Sequence, residues 1–217
     1  FTVDIDGNMQ TETDRELCAI TYDGASWSEP NQLTNDALLD ANPQIVYDGS
    51  DTLMVWYRDA NLVSCRNFDV NNLQEVLLTS SSSGSMDFRL AKNPSGQISL
   101  VWTENSSEGI DIFTATYDSQ LSIWSKAYQL TSDPNMERSV TATYVGSNEL
   151  ALAYNKVQIV DNNGIPEPNR VDLYILRHQI KGDLAILASD ISLSMANPLP
   201  GSTVDVNAVI HNLGDIA

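Results

Sequence analysis

A chain of 217 residues, 42% of them hydrophobic, can bury the core of one large β-domain, or of one domain and the beginning of a second. Its 29 acidic side chains against 11 Lys and Arg give a formal charge of −18, which repels polyanions and so argues against nucleic acid or an anionic membrane surface as a partner. Cys18 and Cys65 stand without CxxC spacing, and no apolar run approaches the ~18 residues of a membrane-spanning helix, which argues against zinc, a disulfide-stapled miniprotein and a transmembrane segment.

The opening "FTVDIDGNMQ" lacks the basic start and apolar run of a signal peptide, and no Met initiates the chain, so the expectation is a mature or excised piece of a longer protein. Next comes "ITYDGASWSEPNQLT" (20 to 34), which returns as "ATYDSQLSIWSKAYQLT" (115 to 131), with a looser version, "RNFDVNNLQEVLLT", at 66 to 79. Between these lie "PQIVYDGSDTLMVWYRD" (43 to 59), "LAKNPSGQISLVWTEN" (90 to 105) and "VTATYVGSNELALAYNK" (140 to 156). Each of the three has an apolar strand, a turn at Gly49, Gly96 or Gly146, and a second strand ending in Trp56, Trp102 or Tyr154. A third strand follows, then a turn and a fourth.

Alternating, β-branched and aromatic-rich segments with no helical stripe predict strands throughout and no helix. The glycines are 47 and then 50 residues apart, and four strands in such a repeat are the signature of a β-propeller blade. The fold class is therefore all-β. Residues 1–182 are predicted to hold about three and a half four-stranded blades, at about 40–83, 84–134 and 135–182, after a unit contributing its last three strands. One blade cannot bury both faces alone, so Trp56 and Trp102 are expected to fill the gaps between neighbours. A closed propeller typically needs about four to eight blades, so further blades or domains are expected in the same protein or a companion chain.

The two "TYD…WS" stretches, through Thr21, Asp23 and Trp27 and through Thr116, Asp118 and Trp124, resemble the Asp-box hairpins of sialidase-like propellers. The middle copy keeps Asn67 and Asp69 without a Trp. That resemblance implies a structural role, in which Asp23 and Asp118 accept backbone N–H groups and Trp27 and Trp124 pack beneath the turn. From residue 183 the pattern changes. Asp183-Leu184, Asp190-Ile191, Asn197-Pro198 with Pro200-Gly201, and Asn212-Leu213-Gly214 resemble the start of CARDB, a bacterial and archaeal cell-adhesion-related domain. The resemblance implies that 183–217 are the N-terminal strands of an immunoglobulin-like β-sandwich. Alternatively, Asp183 to Ser192 form the outer strand of the last blade.

Stacked on their glycines, the blades share a carboxylate nine residues upstream: Asp40, Asp87 and Glu137. At a channel mouth these would form a ring for Ca²⁺ or a cationic ligand, and otherwise three solvated turn residues. Arg89 and Arg138 stand beside that entry, and "DFRLA" resembles the first-strand arginine motif of sialidases, which implies a carboxylate-binding clamp. Seven arginines with no assignable Tyr–Glu pair leave the sialidase set incomplete, and no serine-nucleophile elbow is present. "DNNG" (161 to 164) and "DGSD" (48 to 51) read as turns with oxygens available to calcium, and "SSSSGS" (80 to 85) as a loop. Asn105 opens the sequon "NSS", His178 and His211 read as strand residues, and strand parity separates Cys18 from Cys65. The resulting expectation is a non-catalytic binding, adhesion or scaffold module of a large secreted or cell-surface prokaryotic protein. Its partners would be glycans or extracellular proteins; the alternative is part of a sialidase-like glycoside hydrolase or its carbohydrate-binding accessory region.

Overall fold

The computed structural model describes residues 1–8, 10–11, 13–47, 49–67, 75–79, 87–119, 121–180, 184–186, 188–195, 197–198 and 201–212. Asp48, Asp69 and the 80–85 run thus lie outside the described residues. A leading sheet holds β1 (Thr2–Asp4), β2 (Arg15–Ala19) and β3 (Asn31–Gln32) in that order. The first blade is β4 (Asp40–Tyr47), β5 (Thr52–Arg58), β6 (Asn61–Arg66) and β7 (Glu75–Leu77), again in chain order. In the second blade β8 (Phe88–Lys92), β9 (Ile98–Asn105) and β10 (Ile110–Asp118) pair in sequence, and β11 (Ile123–Trp124) and β12 (Tyr128–Gln129) line the far side of β10. The third blade is β13 (Met136–Tyr144), β14 (Glu149–Asn162) and β15 (Ile165–Gln179), joined to the second by a single parallel bridge between Ile110 of β10 and Met136 of β13.

Consecutive residues of a strand face opposite sides, so a sheet sandwiched between two others must be apolar on both. The "TLMVWYR" of β5 and the "ISLVWTEN" of β9 are such runs, buried almost end to end. Met54 and Trp56 pack with Leu17 and Leu33 of the leading sheet, while Val55 and Tyr57 join Phe88, Leu100 and Trp102 of the second blade. Val101 and Ile112 then meet Val140, Leu150, Leu152 and Tyr154 of the third. Trp56 and Trp102 are 0% and 3% exposed, as blade fillers must be. By contrast "ELALAY" in β14 alternates half-buried and buried residues, because only one of its faces is covered.

One clasp recurs in the leading sheet and the first two blades, where the end of the fourth strand lies beside the start of the third. The backbone N–H groups of Leu17, Leu62 and Ile112 donate to the hydroxyls of Thr34 (2.9 Å), Thr79 (2.8 Å) and Thr131 (2.9 Å). This is why each fourth strand closes on Leu-Thr: the Leu enters the core, and the Thr satisfies a donor that would otherwise be buried without a partner.

Three expectations are corrected. Among the described residues the third blade has three strands rather than four, and nothing pairs with the free side of β15. The segment after it, read alternatively as that outer strand, instead pairs within itself. There β16 (Leu184–Ala185) pairs with β19 (His211–Asn212), and β17 (Ile191–Leu193) with β18 (Val206–Ala208), with a short 3-10 turn at Ala188–Asp190. Finally, Trp27 is 64% exposed, its ring tilted against Tyr22 at 5.1 Å. Its counterpart Trp124 lies against Tyr117 at 5.0 Å and reaches the previous blade, where Nε1 donates to Ser64 Oγ at 3.0 Å. No sheet stands in that place beside Trp27 among the described residues.

Candidate functional site

The Asp-box frames are alike where they matter structurally. Thr21 N donates to Ser28 Oγ and Thr116 N to Ser125 Oγ, both at 3.0 Å, and each serine N–H returns a bond to the same threonine's carbonyl at 2.8 Å. Asp23 Oδ1 accepts from Ala25 and Ser26 N, and Asp118 Oδ1 from Leu121 N, all at 2.8 Å. The N–H groups of Ser26 and Ala25 hold the Asp23 carboxyl below its ordinary range.

Asp40, Asp87 and Glu137 do not form a common ring. Asp40 is fully buried: Oδ1 accepts from Trp56 Nε1 (2.8 Å) and Arg58 Nε (2.7 Å), and Oδ2 from Arg58 Nη2 (2.9 Å). Glu137, equally buried, pairs with Lys156 Nζ at 3.1 Å. Asp87 instead accepts Ser139 N at 2.9 Å, which ties the second blade to the third. The cause is register. The first and third blades carry a β-bulge, between Ala41 and Gln44 and between Arg138 and Thr141, with Asn42 and Ser139 at φ 53° and 55°. These bulges set Asp40 across from Arg58 and Glu137 across from Lys156. The β8–β9 ladder has no bulge, and Asp87 O receives Thr103 N at 3.0 Å. Counting back from a glycine therefore aligns residues that are not equivalent. Neither arginine forms a clamp: Arg89 Nη1 donates to Phe88 O at 2.6 Å, and Arg138 lies exposed on β13 opposite Asn155.

Each of the two bulged carboxylates belongs to a larger junction cluster. Beside Asp40 lie Glu16, 2% exposed, whose Oε1 accepts Asp36 N at 2.9 Å, and Asp36, whose Oδ2 is 3.4 Å from Arg58 Nη2. Beside Glu137 lie Asp133, bonded to Lys156 Nζ, and Asp111, whose oxygens accept Gln129 Nε2 and Thr131 Oγ1 at 3.0 Å each. Burial raises the Glu137 carboxyl above its ordinary value, and Lys156 offsets part of that. For Lys156, burial opposes the charge, but Asp133 and Glu137 outweigh it and hold the ammonium above the usual lysine range.

A groove of about 460 Å³ opens elsewhere, between the outer strands of the second and third blades. Tyr128, 60% exposed, stacks on His178 at 5.4 Å, with Ser125, Lys126, Arg177 and Gln179 around the pair. Arg177 Nη1 is held by Glu149 Oε1 at 2.8 Å. The sequence offers no signal for this groove, because its two walls are about fifty residues apart and neither carries a motif. His211 pairs with Asp190 at 3.1 Å, Asp161 Oδ1 caps the hairpin tip by accepting Gly164 N at 2.5 Å, and Cys18 and Cys65 are buried free thiols.

These features define an open stack of propeller-type β-blades. No protein-family model matches the chain, and no curated protein does. Among solved structures, it is similar to a leech intramolecular trans-sialidase complexed with 2,7-anhydro-Neu5Ac, at 12% identity and TM-score 0.44, over 79% of this chain and 31% of that one. The Ruminococcus gnavus intramolecular trans-sialidase with oseltamivir carboxylate gives 12% and 0.40 over 79% and 43%, and TolB from Acinetobacter baumannii 15% and 0.44 over 94% and 50%. The chain thus spans half or less of each. Such distant likenesses carry no substrate or role across, and the fold rests on the sheet stacking itself.

Proposed function

We propose that the chain is part of a non-catalytic binding module of a secreted or cell-surface protein, and that its ligand is a glycan seated in the groove between the second and third blades. The observation that carries this reading is the exposed Tyr128–His178 stack inside a groove bordered by Ser125, Lys126, Arg177 and Gln179. An aromatic face with hydrogen-bonding groups at its rim suits the apolar face and hydroxyls of a sugar ring. The carboxylates near the predicted mouth are engaged internally, Asp40 with Arg58 and Glu137 with Lys156, and this weighs against a glycosidase acid–base pair at those positions. In the same reading residues 183–217 begin an adhesion-type sandwich, supported by the two short antiparallel pairs on either side of the Pro-Leu-Pro-Gly segment.

A glycan array and a fluorogenic glycosidase panel, run on the whole chain, test the proposal. Binding without turnover, weakened at least about tenfold (~1.4 kcal/mol) by Tyr128→Ala, is the expected result. Turnover that disappears in Arg89→Ala would replace this reading with that of a sialidase-like hydrolase.

A further inference from the structure

We propose that the junction between the leading sheet and the first blade is a binding site for a hard divalent cation of the calcium class, held by Glu16, Asp36 and Asp40. One ligand oxygen from each of these carboxylates lies within 4.8 Å of the others. Any two of these oxygens thus stand within the span of two Ca–O bonds of ~2.4 Å, and oxygen-only ligands select a hard cation. The decisive observation is Glu16. Its side chain is 2% exposed, Oε1 is taken by Asp36 N, and Oε2 is sealed from solvent without any hydrogen-bond donor. An ionised oxygen buried in this way needs a positive charge beside it.

Arg58 does not supply that charge. Its planar guanidinium is spread over both oxygens of Asp40 and reaches Asp36 at 3.4 Å, but no bond to Glu16 forms. Three carboxylates and one guanidinium leave two negative charges, the deficit a divalent ion cancels.

The equivalent junction between the second and third blades holds the same set of acids around a lysine, and there too Glu137 Oε2 is buried without a hydrogen-bond donor. Asp111 stands one residue before Ile112 as Glu16 does before Leu17. Asp133 and Glu137 follow Thr131 at the same distances as Asp36 and Asp40 follow Thr34. There, however, the basic residue is Lys156, whose compact ammonium contacts both Asp133 and Glu137, while Asp111 is fully engaged by Gln129 and Thr131. Lysine thus sets a point charge beside two of its carboxylates, whereas the arginine, spread over Asp40 and reaching Asp36, leaves Glu16 without a cation. At the intervening junction the corresponding sequence positions are Asn61, Ser81 and Ser85, with no acid among them. Asp36, whose side chain is 40% exposed, gives an ion and its remaining waters a way in.

The test uses the whole chain, stripped with chelator and titrated with CaCl2 by calorimetry, alongside sensitised terbium emission, since the Trp56 indole is bonded to Asp40. Saturable binding below about 10 mM Ca²⁺, a raised thermal midpoint, and at least a tenfold weakening in Glu16→Gln are expected. The chelated variant should melt no lower than the chelated parent, because Gln removes the unmatched charge, and this separates lost binding from lost folding. No binding up to that concentration would overturn the proposal. So would a response that survives Glu16→Gln but vanishes in Asp4→Asn, which would place the ion in the Asp4–Asp6–Asp14 cluster. Stabilisation of the metal-free parent on acidification, with no response to calcium, would assign the place to a proton and equally refute it.

Discussion

Leu62 and Leu173 occupy the same place in two blades. Each precedes the residue that faces the second-strand aromatic, Val63 opposite Trp56 and Tyr174 opposite Tyr154, and Ile112 does so before Phe113 opposite Trp102. Yet Leu62 is 1% exposed and Ile112 is fully buried, whereas Leu173 is 73% exposed. The difference is the next blade, present over the first two and absent over the third among the described residues. Leu62→Ala should therefore lose the transfer energy of three buried carbons and open a cavity against Phe88 and Leu100, about 2–5 kcal/mol. Leu173→Ala should stay within about 0.5 kcal/mol. At roughly 2–4 °C per kcal/mol for a chain of this size, the first substitution lowers the melting midpoint by about 4–20 °C and the second by no more than about 2 °C. Urea and thermal unfolding, followed by far-ultraviolet circular dichroism, read both. Equal effects of the two substitutions would refute the reasoning: both small means that the blades do not stack, and both large means that the third blade's outer face is covered in solution.

Lys156→Met should destabilise the chain by about 3–5 kcal/mol near pH 7, because it strips the buried Glu137 and half-buried Asp133 of their shared cation. The loss depends on pH with a definite sign. Burial already raises the Glu137 carboxyl, so its contribution is fully present below its ordinary value of about 4.5 and is lost as pH rises through the raised one. Without Lys156 that rise grows, and the variant's deficit in urea unfolding should shrink from pH 7 toward pH 4.5; a deficit independent of pH would contradict this. Gly109→Ala should cost about 1–3 kcal/mol, since its Cβ would stand 2.1 Å from the Asn135 carbonyl oxygen, in the loop that delivers Asp133 to Lys156. An unchanged denaturation midpoint would show that this loop yields freely.

The blades were legible because burial on both faces writes itself into β5 and β9 as unbroken apolar runs, and the Asp-box frames repeat because the same turn is built twice. What the sequence hides is register. Asn42 and Ser139 adopt left-handed conformations at bulges that no local motif announces, so Asp40 and Glu137 turn inward to Arg58 and Lys156 while Asp87 bonds across to Ser139. The same limit hid Glu16, Asp36 and Asp111: each looks like one more acid in a chain of charge −18 until the Leu-Thr clasps align the junctions. Trp27 and Trp124 share a motif but not an environment, because the second needs a preceding sheet and finds Ser64 there. The Tyr128–His178 groove arises only when two strands meet across a blade boundary.

The indole N–H of Trp124 tests the stacking most directly, since its partner Ser64 is 60 residues away and in another blade. In a nuclear Overhauser spectrum of the folded chain it should give a strong cross-peak to the Ser64 β-protons and exchange slowly with water. An indole proton that shows no such peak and exchanges as fast as that of exposed Trp27 would contradict the account.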